Sequence, residues 1–140
     1  MTFGSRVWLG FAAAAVLAAA VSGFDMVSDR LTVRSALGLR AGALPLSVAQ
    51  ITCESPFTTD VLTTCFFRVE PRDVRALLAG YTFTESFRTS ALATSRVPLP
   101  SDFAPSVCFV AEPPELEHGG HVILCPDTRM GAAFLDLYVE

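Results

Sequence analysis

Apolar residues are gathered in short runs over much of the chain after residue 47. Runs rich in apolar, β-branched and aromatic residues occupy five segments: 48–53, 61–69, 107–112, 121–125 and 132–139. Turn-forming residues separate the runs, and 126–131 is a clear example with Pro, Asp and Gly. The pattern predicts five antiparallel strands, arranged as an N-terminal hairpin and a C-terminal three-stranded meander.

One short helix is predicted between the hairpin and the meander, over residues 70–80. Pro71 suits a first turn, Asp73 suits the positive N-terminal end, and Gly80 can close the helix in a left-handed conformation. The apolar positions that would pack on the sheet are Val74, Leu77 and Leu78. The predicted fold class is therefore α+β, with a small antiparallel sheet of about five strands covered on one side by one helix.

Residues 81–105 give a weaker signal. Tyr81, Phe83 and Phe87 alternate with polar residues, which hints at a further short edge strand. The segment 89–105 is rich in Ser, Thr and Pro and is long for a connection within a small domain. We read it as a solvated linker, with a partner surface as the functional alternative.

Four cysteines allow three pairings, and sequence alone does not choose among them formally. Strand register favours Cys53 with Cys65 and Cys108 with Cys125, because each pair then falls within one hairpin and stabilises the fold as a disulfide. The first register also places Ile51 opposite Phe67 and Ala49 opposite Val69. The second places Val110 opposite Ile123 and Glu112 opposite His121.

The chain begins with an alanine-rich run, Val7 to Phe24, that has no charge and follows Arg6. Its length of about 18 residues is at the lower limit for spanning a bilayer, and alanine gains little from entering hydrocarbon. We predict that residues 1–23 form a signal peptide, cleaved after Ser22 or Gly23; the alternative is a retained membrane anchor. Residues 24–47 are predicted as a connector or short helix, and 48–140 as a single domain.

Composition points to an exported bacterial protein. The chain contains no lysine and no asparagine, and all of its ten basic residues are arginine, which is typical of a GC-rich genome. Together with the cysteines, this predicts a periplasmic or secreted protein, or a membrane-anchored one whose domain faces the periplasm. The formal net charge of −4 argues against a nucleic-acid partner, which needs a basic surface.

His118 and His121 are the only histidines and lie close to several acids, of which Glu112 is placed opposite His121. Imidazoles, carboxylates and Cys125 could together bind zinc. However, Gly119 and Gly120 predict a flexible turn, so a solvated hairpin tip explains the same residues. We predict no metal and no cofactor, and a Glu112–His121 pair that raises the histidine pKa remains a hypothesis.

Sequence motifs of enzymes are absent: the chain has no Gly-rich phosphate loop, no Gly-x-Ser-x-Gly and no His-Glu-x-x-His. We predict a non-enzymatic binding or accessory module whose partner is an unidentified protein, with a membrane involved only if the N-terminal segment is retained. The first alternative is a single-pass accessory subunit of a larger envelope complex. The second is a metal-binding or hydrolytic protein that uses the His118/His121 loop.

Processing of the leader has a simple readout, because Trp8 is the only tryptophan. If residues up to 22 or 23 are removed, the exported product has no tryptophan fluorescence and is lighter by about 2 kDa. Intact-mass measurement of the product tests this. A mass that still includes Met1 or Trp8 would overturn the signal-peptide prediction.

Overall fold

A computed structural model describes residues 23–56, 61–87, 90–116 and 119–139. It contains one antiparallel sheet of six strands, a few helices and two disulfides, so the α+β class is confirmed. The strands are β1 (Ala49–Glu54), β2 (Val61–Arg68), β3 (Thr84–Ser86), β4 (Cys108–Ala111), β5 (Gly120–Asp127) and β6 (Ala132–Val139). The strand that raises the number from five to six is β3, a short edge strand next to β4.

The hairpin and the meander form one continuous sheet in the order β1-β2-β6-β5-β4-β3. They are joined by the pairing of β2 with β6, which runs in register from Val61 opposite Val139 to Arg68 opposite Ala132. On its other side, β6 pairs with β5 over eight residues of each strand. The last strand of the chain is therefore a central strand of the sheet.

Helices cover one face of this sheet. The helix α1 comprises 23–36 within the described part of the chain, and its Val33 and Ala36 are buried against the sheet. The sheet contributes inward-facing side chains at every second position of the central strands, as strand geometry requires. The residues that form this main core on β2, β5 and β6 are Cys65, Phe67, Val122, Leu124, Ala133 and Leu135.

The end of α1 is set by Gly38, which adopts a φ of +63°. The N–H groups of Gly38 and Leu39 donate to the carbonyls of Ser35 and Arg34 at 3.0 Å each, which is the Schellman pattern of a helix C-terminus. The chain then returns to the core at Leu44 before β1 begins. Residues of the 24–47 segment thus form part of the same core as the sheet.

The predicted 70–80 helix is present as two short turns, a 3₁₀ turn (Pro71–Asp73) followed by α2 (Val74–Leu77). Leu77 is fully buried in the main core. Gly80 does not have the left-handed conformation that we expected. Its role is steric, because a Cβ at Gly80 would lie 1.8 Å from the carbonyl oxygen of Leu37.

The opposite face of the sheet is covered by the segment we expected to be a solvated linker. This segment includes a further helical turn, α3 (Ser90–Ala93). Val97 is buried beside Phe134 of β6, and the ring of Phe103 meets the ring of Phe66 edge-on at 5.3 Å. Apolar side chains of this segment pack on apolar side chains of the sheet. Both faces of the sheet are therefore covered.

Register within the hairpin is confirmed at the cysteines and differs before them. Cys53 lies opposite Cys65, but Ala49 lies opposite Arg68 instead of Val69. The register shifts by one residue between Ala49 and Thr52, and Gln50 within this stretch has a φ of +50°. An extra residue in a strand forms a β-bulge, which period-two alternation does not reveal. In the meander, the predicted pairing of Val110 with Ile123 is confirmed.

The covering segment is held to the sheet by a buried carboxylate. Asp127, whose residue is 3% exposed, accepts hydrogen bonds from the N–H groups of Ala104 at 3.0 Å and of Arg129 at 3.1 Å. The Arg129 guanidinium in turn donates to the carbonyl of Ala104 at 3.1 Å. The hydrogen bond from Ala104 is the largest cause of a lowered pKa at Asp127, and the Arg129 charge adds to it.

Replacing this carboxylate should loosen the second face. We expect Asp127→Asn to lower the free energy of unfolding by about 2 kcal/mol at neutral pH, because the amide has no charge and its NH2 group replaces one of the two oxygens that accept backbone hydrogen bonds. Since the folded pKa lies below the ordinary value of 3.8, the carboxylate stabilises the fold above that pH and ceases to do so as the pH falls through the folded pKa. Denaturant unfolding at neutral and acid pH measures the difference.

The exposed Asp102 lies in the same segment, so Asp102→Asn is the matched control and should be neutral. Equal stability of the wild type and Asp127→Asn at neutral pH would contradict this assignment.

Candidate functional site

The four cysteines form two disulfides, Cys53–Cys65 and Cys108–Cys125, separated along the sequence by 12 and 17 residues. Cys65 belongs to the main core on the helix-covered face, and Cys125 belongs to the cluster on the opposite face. The two bonds therefore lie on different faces of the sheet. With no free cysteine, Cys125 is not available as a thiolate ligand.

The predicted metal ligands are only partly tested by the structure. His118 lies outside the described residues, as does the neighbouring Glu117. His121 lies in β5, whereas Glu112 follows the end of β4 and is exposed. The carboxylate that lies close to the imidazole of His121 belongs to Asp136, not to Glu112. Among the described residues, no group of three or more His, Cys, Asp or Glu side chains is arranged to hold a metal ion.

His121 and Asp136 are part of a polar cluster on neighbouring strands, comprising Thr64, His121, Asp136 and Tyr138. The Nε2 atom of His121 lies 3.7 Å from Oδ2 of Asp136, and the Thr64 hydroxyl donates to Oδ1 of Asp136 at 3.1 Å. The His121 ring stacks on that of Tyr138, with centroids 5.4 Å apart. We call these four residues the sheet polar cluster.

Asp136 is the most buried charge of the sheet polar cluster, with a side chain that is 15% exposed. Burial raises the pKa of Asp136, because a carboxylate loses hydration when it leaves water. The Thr64 hydroxyl and the His121 ring oppose this rise without cancelling it. The charged form of Asp136 therefore remains unfavourable in this environment, and its contacts with Thr64 and His121 only partly offset the loss of hydration.

The order of the groups limits what the cluster can do chemically. In a nucleophile–histidine–carboxylate triad, the imidazole lies between the hydroxyl and the carboxylate. Here the Thr64 hydroxyl donates to the carboxylate itself, so the imidazole of His121 is not placed to activate it. The arrangement gives a buried acid two polar partners, one of which is a histidine whose side chain is 37% exposed.

A second candidate is the groove between α1 and β1, which has a volume of about 530 Å³. Met26 and Leu46 line it, with residue exposures of 64% and 94%, and Ile51 forms part of its wall. Exposed apolar side chains around a concavity are typical of a binding site. We call this concavity the α1–β1 groove.

Two charged residues, Asp29 and Arg30, border the α1–β1 groove, and they differ in their contacts with the rest of the protein. Arg30 donates hydrogen bonds to the carbonyls of Pro45 and Val48, so its guanidinium fixes the chain that leads into β1. Asp29 has a raised pKa, first because of burial and second because of the negative charge of Asp25. A ligand in the groove would therefore meet mainly apolar surface and one carboxyl group.

The sheet polar cluster and the α1–β1 groove were not predicted as sites from the sequence. The alternation in the last strand does place Asp136 on one face with Phe134 and Tyr138, and the clusters of buried side chains agree with that alternation. The missing element was the register of β5 against β6, which sets His121 opposite Tyr138. The groove depends on where α1 packs, and strand periodicity says nothing about that.

Comparison with known proteins adds no functional information. No protein-family model matches this chain, and no curated protein or solved structure is significantly similar to it. Among the helices formed by the described residues, none combines the length and apolar character needed to cross a membrane. Arguments about function must therefore begin from the two candidate surfaces.

Neutralising the buried acid of the sheet polar cluster should stabilise the protein. The folded pKa of Asp136 is raised above 3.8, so the stability associated with its neutral form is complete below that pH and is lost as the pH rises through the folded pKa. At neutral pH we therefore expect Asp136→Asn to raise the thermal midpoint by about 3 °C. Its advantage should shrink on acidification.

The matched comparison is His121→Ala, which removes an imidazole that favours the ionised form of Asp136 and should lower the midpoint at neutral pH. Thermal unfolding followed by circular dichroism measures both variants. A lower midpoint for Asp136→Asn at neutral pH would show that the charge of Asp136 is a net benefit to the fold.

Proposed function

We propose that this chain is a small exported bacterial protein that acts as a non-enzymatic binding or accessory module, in the periplasm or outside the cell. The observation that supports binding most directly is the α1–β1 groove, where Met26 and Leu46 expose apolar surface beside a strand at the edge of the sheet. Soluble domains seldom leave large apolar side chains at a concave surface without a use for them.

Export is supported by the cysteines and the leader. Two disulfides are consistent with an oxidising compartment, since thiols are kept reduced in the bacterial cytosol. Each closes a short loop and is expected to stabilise the domain by about 3 kcal/mol. The uncharged apolar run from Val7 to Phe24 has the character of an export signal and supports the same assignment.

A binding role, as opposed to catalysis, is supported by the distribution of reactive groups. Of the charged residues at the α1–β1 groove, Arg30 is engaged with backbone carbonyls, which leaves Asp29 as the titratable group that faces a ligand. The imidazole of His121 lies elsewhere, in β5, where Asp136 holds it. The His121–Asp136 pair is therefore separate from the groove, whereas an active site would place such a pair in the cavity that binds the substrate.

The test compares the proteins that the wild type and two variants capture from the envelope fraction of the source cells. We expect Leu46→Asp to lose the partner captured by the wild type, because the substitution places a charge on the apolar wall of the groove. Phe87→Asp is the matched control: Phe87 is 80% exposed, follows the edge strand β3 at the other side of the sheet, and should retain the partner. Binding is measured by quantitative mass spectrometry of the captured proteins.

The same preparation tests the compartment. All four cysteines of the native exported protein should resist alkylation until a reductant is added. Free thiols in the native protein would contradict export. Identical captured proteins for Leu46→Asp and Phe87→Asp would contradict the groove as the binding site.

A further inference from the structure

The helix α1 has apolar residues on two sides, and only one of these sides packs on the sheet. Val33, Ala36 and Leu37 lie at 4% exposure or less. Phe24, Val27 and Leu31 are 76%, 58% and 47% exposed, respectively. At about 100° of rotation per residue, these three lie within about 60° of one another and roughly opposite the buried side. We call Phe24, Val27 and Leu31 the outer stripe.

Charged residues are distributed unevenly around the outer stripe. By the same rotation, Arg34 lies about 20° from Val27, with a half-buried side chain whose Nε atom is enclosed, whereas Asp25 and Asp29 lie about 100° or more from the nearest stripe residue. The hydroxyl residues Ser28 and Ser35 lie on its other margin and are exposed. An apolar stripe with a basic residue beside it and acids turned away fits a surface that is apolar within and anionic outside.

The sequence up to Gly23 is the predicted leader, and it runs directly into this stripe. The uncharged run that begins at Val7 ends at Phe24, which is itself the first residue of the stripe. If the leader is retained, the stripe starts where the hydrocarbon-compatible segment stops. If the leader is cleaved after Ser22 or Gly23, the stripe starts at the new, positively charged N-terminus. In both predicted forms the stripe lies at the end of the chain that the leader directs to the membrane.

We propose that the outer stripe of α1 binds the surface of a bilayer that contains anionic lipids. Phe24, Val27 and Leu31 enter the boundary between headgroups and acyl chains, and α1 lies along the surface with the half-buried Arg34 at the edge of the headgroup layer. The α1–β1 groove remains free in this arrangement, because it is formed by the side of α1 that faces the sheet. This inference rests on the proposed export, since it requires the domain to meet an envelope membrane.

Depth-dependent fluorescence quenching tests the proposal on the full chain. Trp8→Phe removes the natural tryptophan, and Leu31→Trp then reports on the middle of the outer stripe. Phe87→Trp in the same background is the control, because Phe87 is an exposed aromatic residue that follows β3, at the opposite edge of the sheet from β1. The probes are vesicles of equal parts phosphatidylcholine and phosphatidylglycerol, with and without bromine on the acyl chains. Unchanged thermal midpoints show that both variants fold.

The expected result is that the tryptophan at position 31 loses about half of its emission with brominated lipid, since the stripe lies about 5–10 Å into the interface. The tryptophan at position 87 should keep its emission. A helix standing upright from a retained leader would hold position 31 about 10 Å beyond Phe24 and out of reach of the bromines. Equal emission with and without bromine at position 31 therefore overturns the proposal, whichever form of the protein is present.

Two further outcomes also count against the proposal. Quenching that is just as strong in vesicles of pure phosphatidylcholine would show that anionic lipid is not required for binding. A stable dimer that buries position 31 would assign the stripe to a second copy of the chain. Failure of the proposed function is seen separately, in the compartment and thiol state of the wild type, because the vesicle experiment uses purified folded protein.

Discussion

The pairing of β6 with β2 on one side and with β5 on the other is the interaction on which the rest of the structure depends. It joins two locally formed units, the hairpin and the meander, into one sheet. It also requires β6 to be apolar on both faces, and the run from Ala132 to Leu135 meets that requirement with four consecutive buried residues. Both coverings of the sheet, α1 on one face and the segment around Val97 on the other, pack against this strand and its neighbours.

A central strand also constrains polar groups. Asp136 follows the four buried residues of β6 and is carried into the interior by the same backbone path. A carboxylate there needs partners, and the adjacent strands supply them through Thr64 of β2 and His121 of β5. The sheet polar cluster is thus explained by the architecture of the sheet before any chemical role is considered. Asp127, at the end of β5, is a buried carboxylate with more partners: backbone N–H groups donate to it, and the Arg129 guanidinium lies beside it.

Local patterns predicted much of this fold, and long-range packing accounts for most of what they missed. Apolar, β-branched runs and cysteine spacing identified five of the six strands and both disulfides, because each disulfide joins neighbouring antiparallel strands. The β2–β6 pairing connects segments far apart in sequence, so no periodicity reveals it. The same limit applies to the site, since His121 meets Asp136 only through the β5–β6 register. The bulge at Gln50 and the burial of Val97 depend on tertiary contacts in the same way.

The two outermost strands of the sheet differ in a way that affects how this protein behaves at high concentration. At one end, β1 is interrupted by the bulge around Gln50, which twists the strand and spoils a regular row of donors and acceptors. At the other end, β3 has only three residues, too few to pair stably with an added chain. Neither edge offers a long flat template, which is how natural sheets avoid growing into fibrils. The strongly apolar central strands are therefore shielded from self-association by the irregularity of the strands that border them.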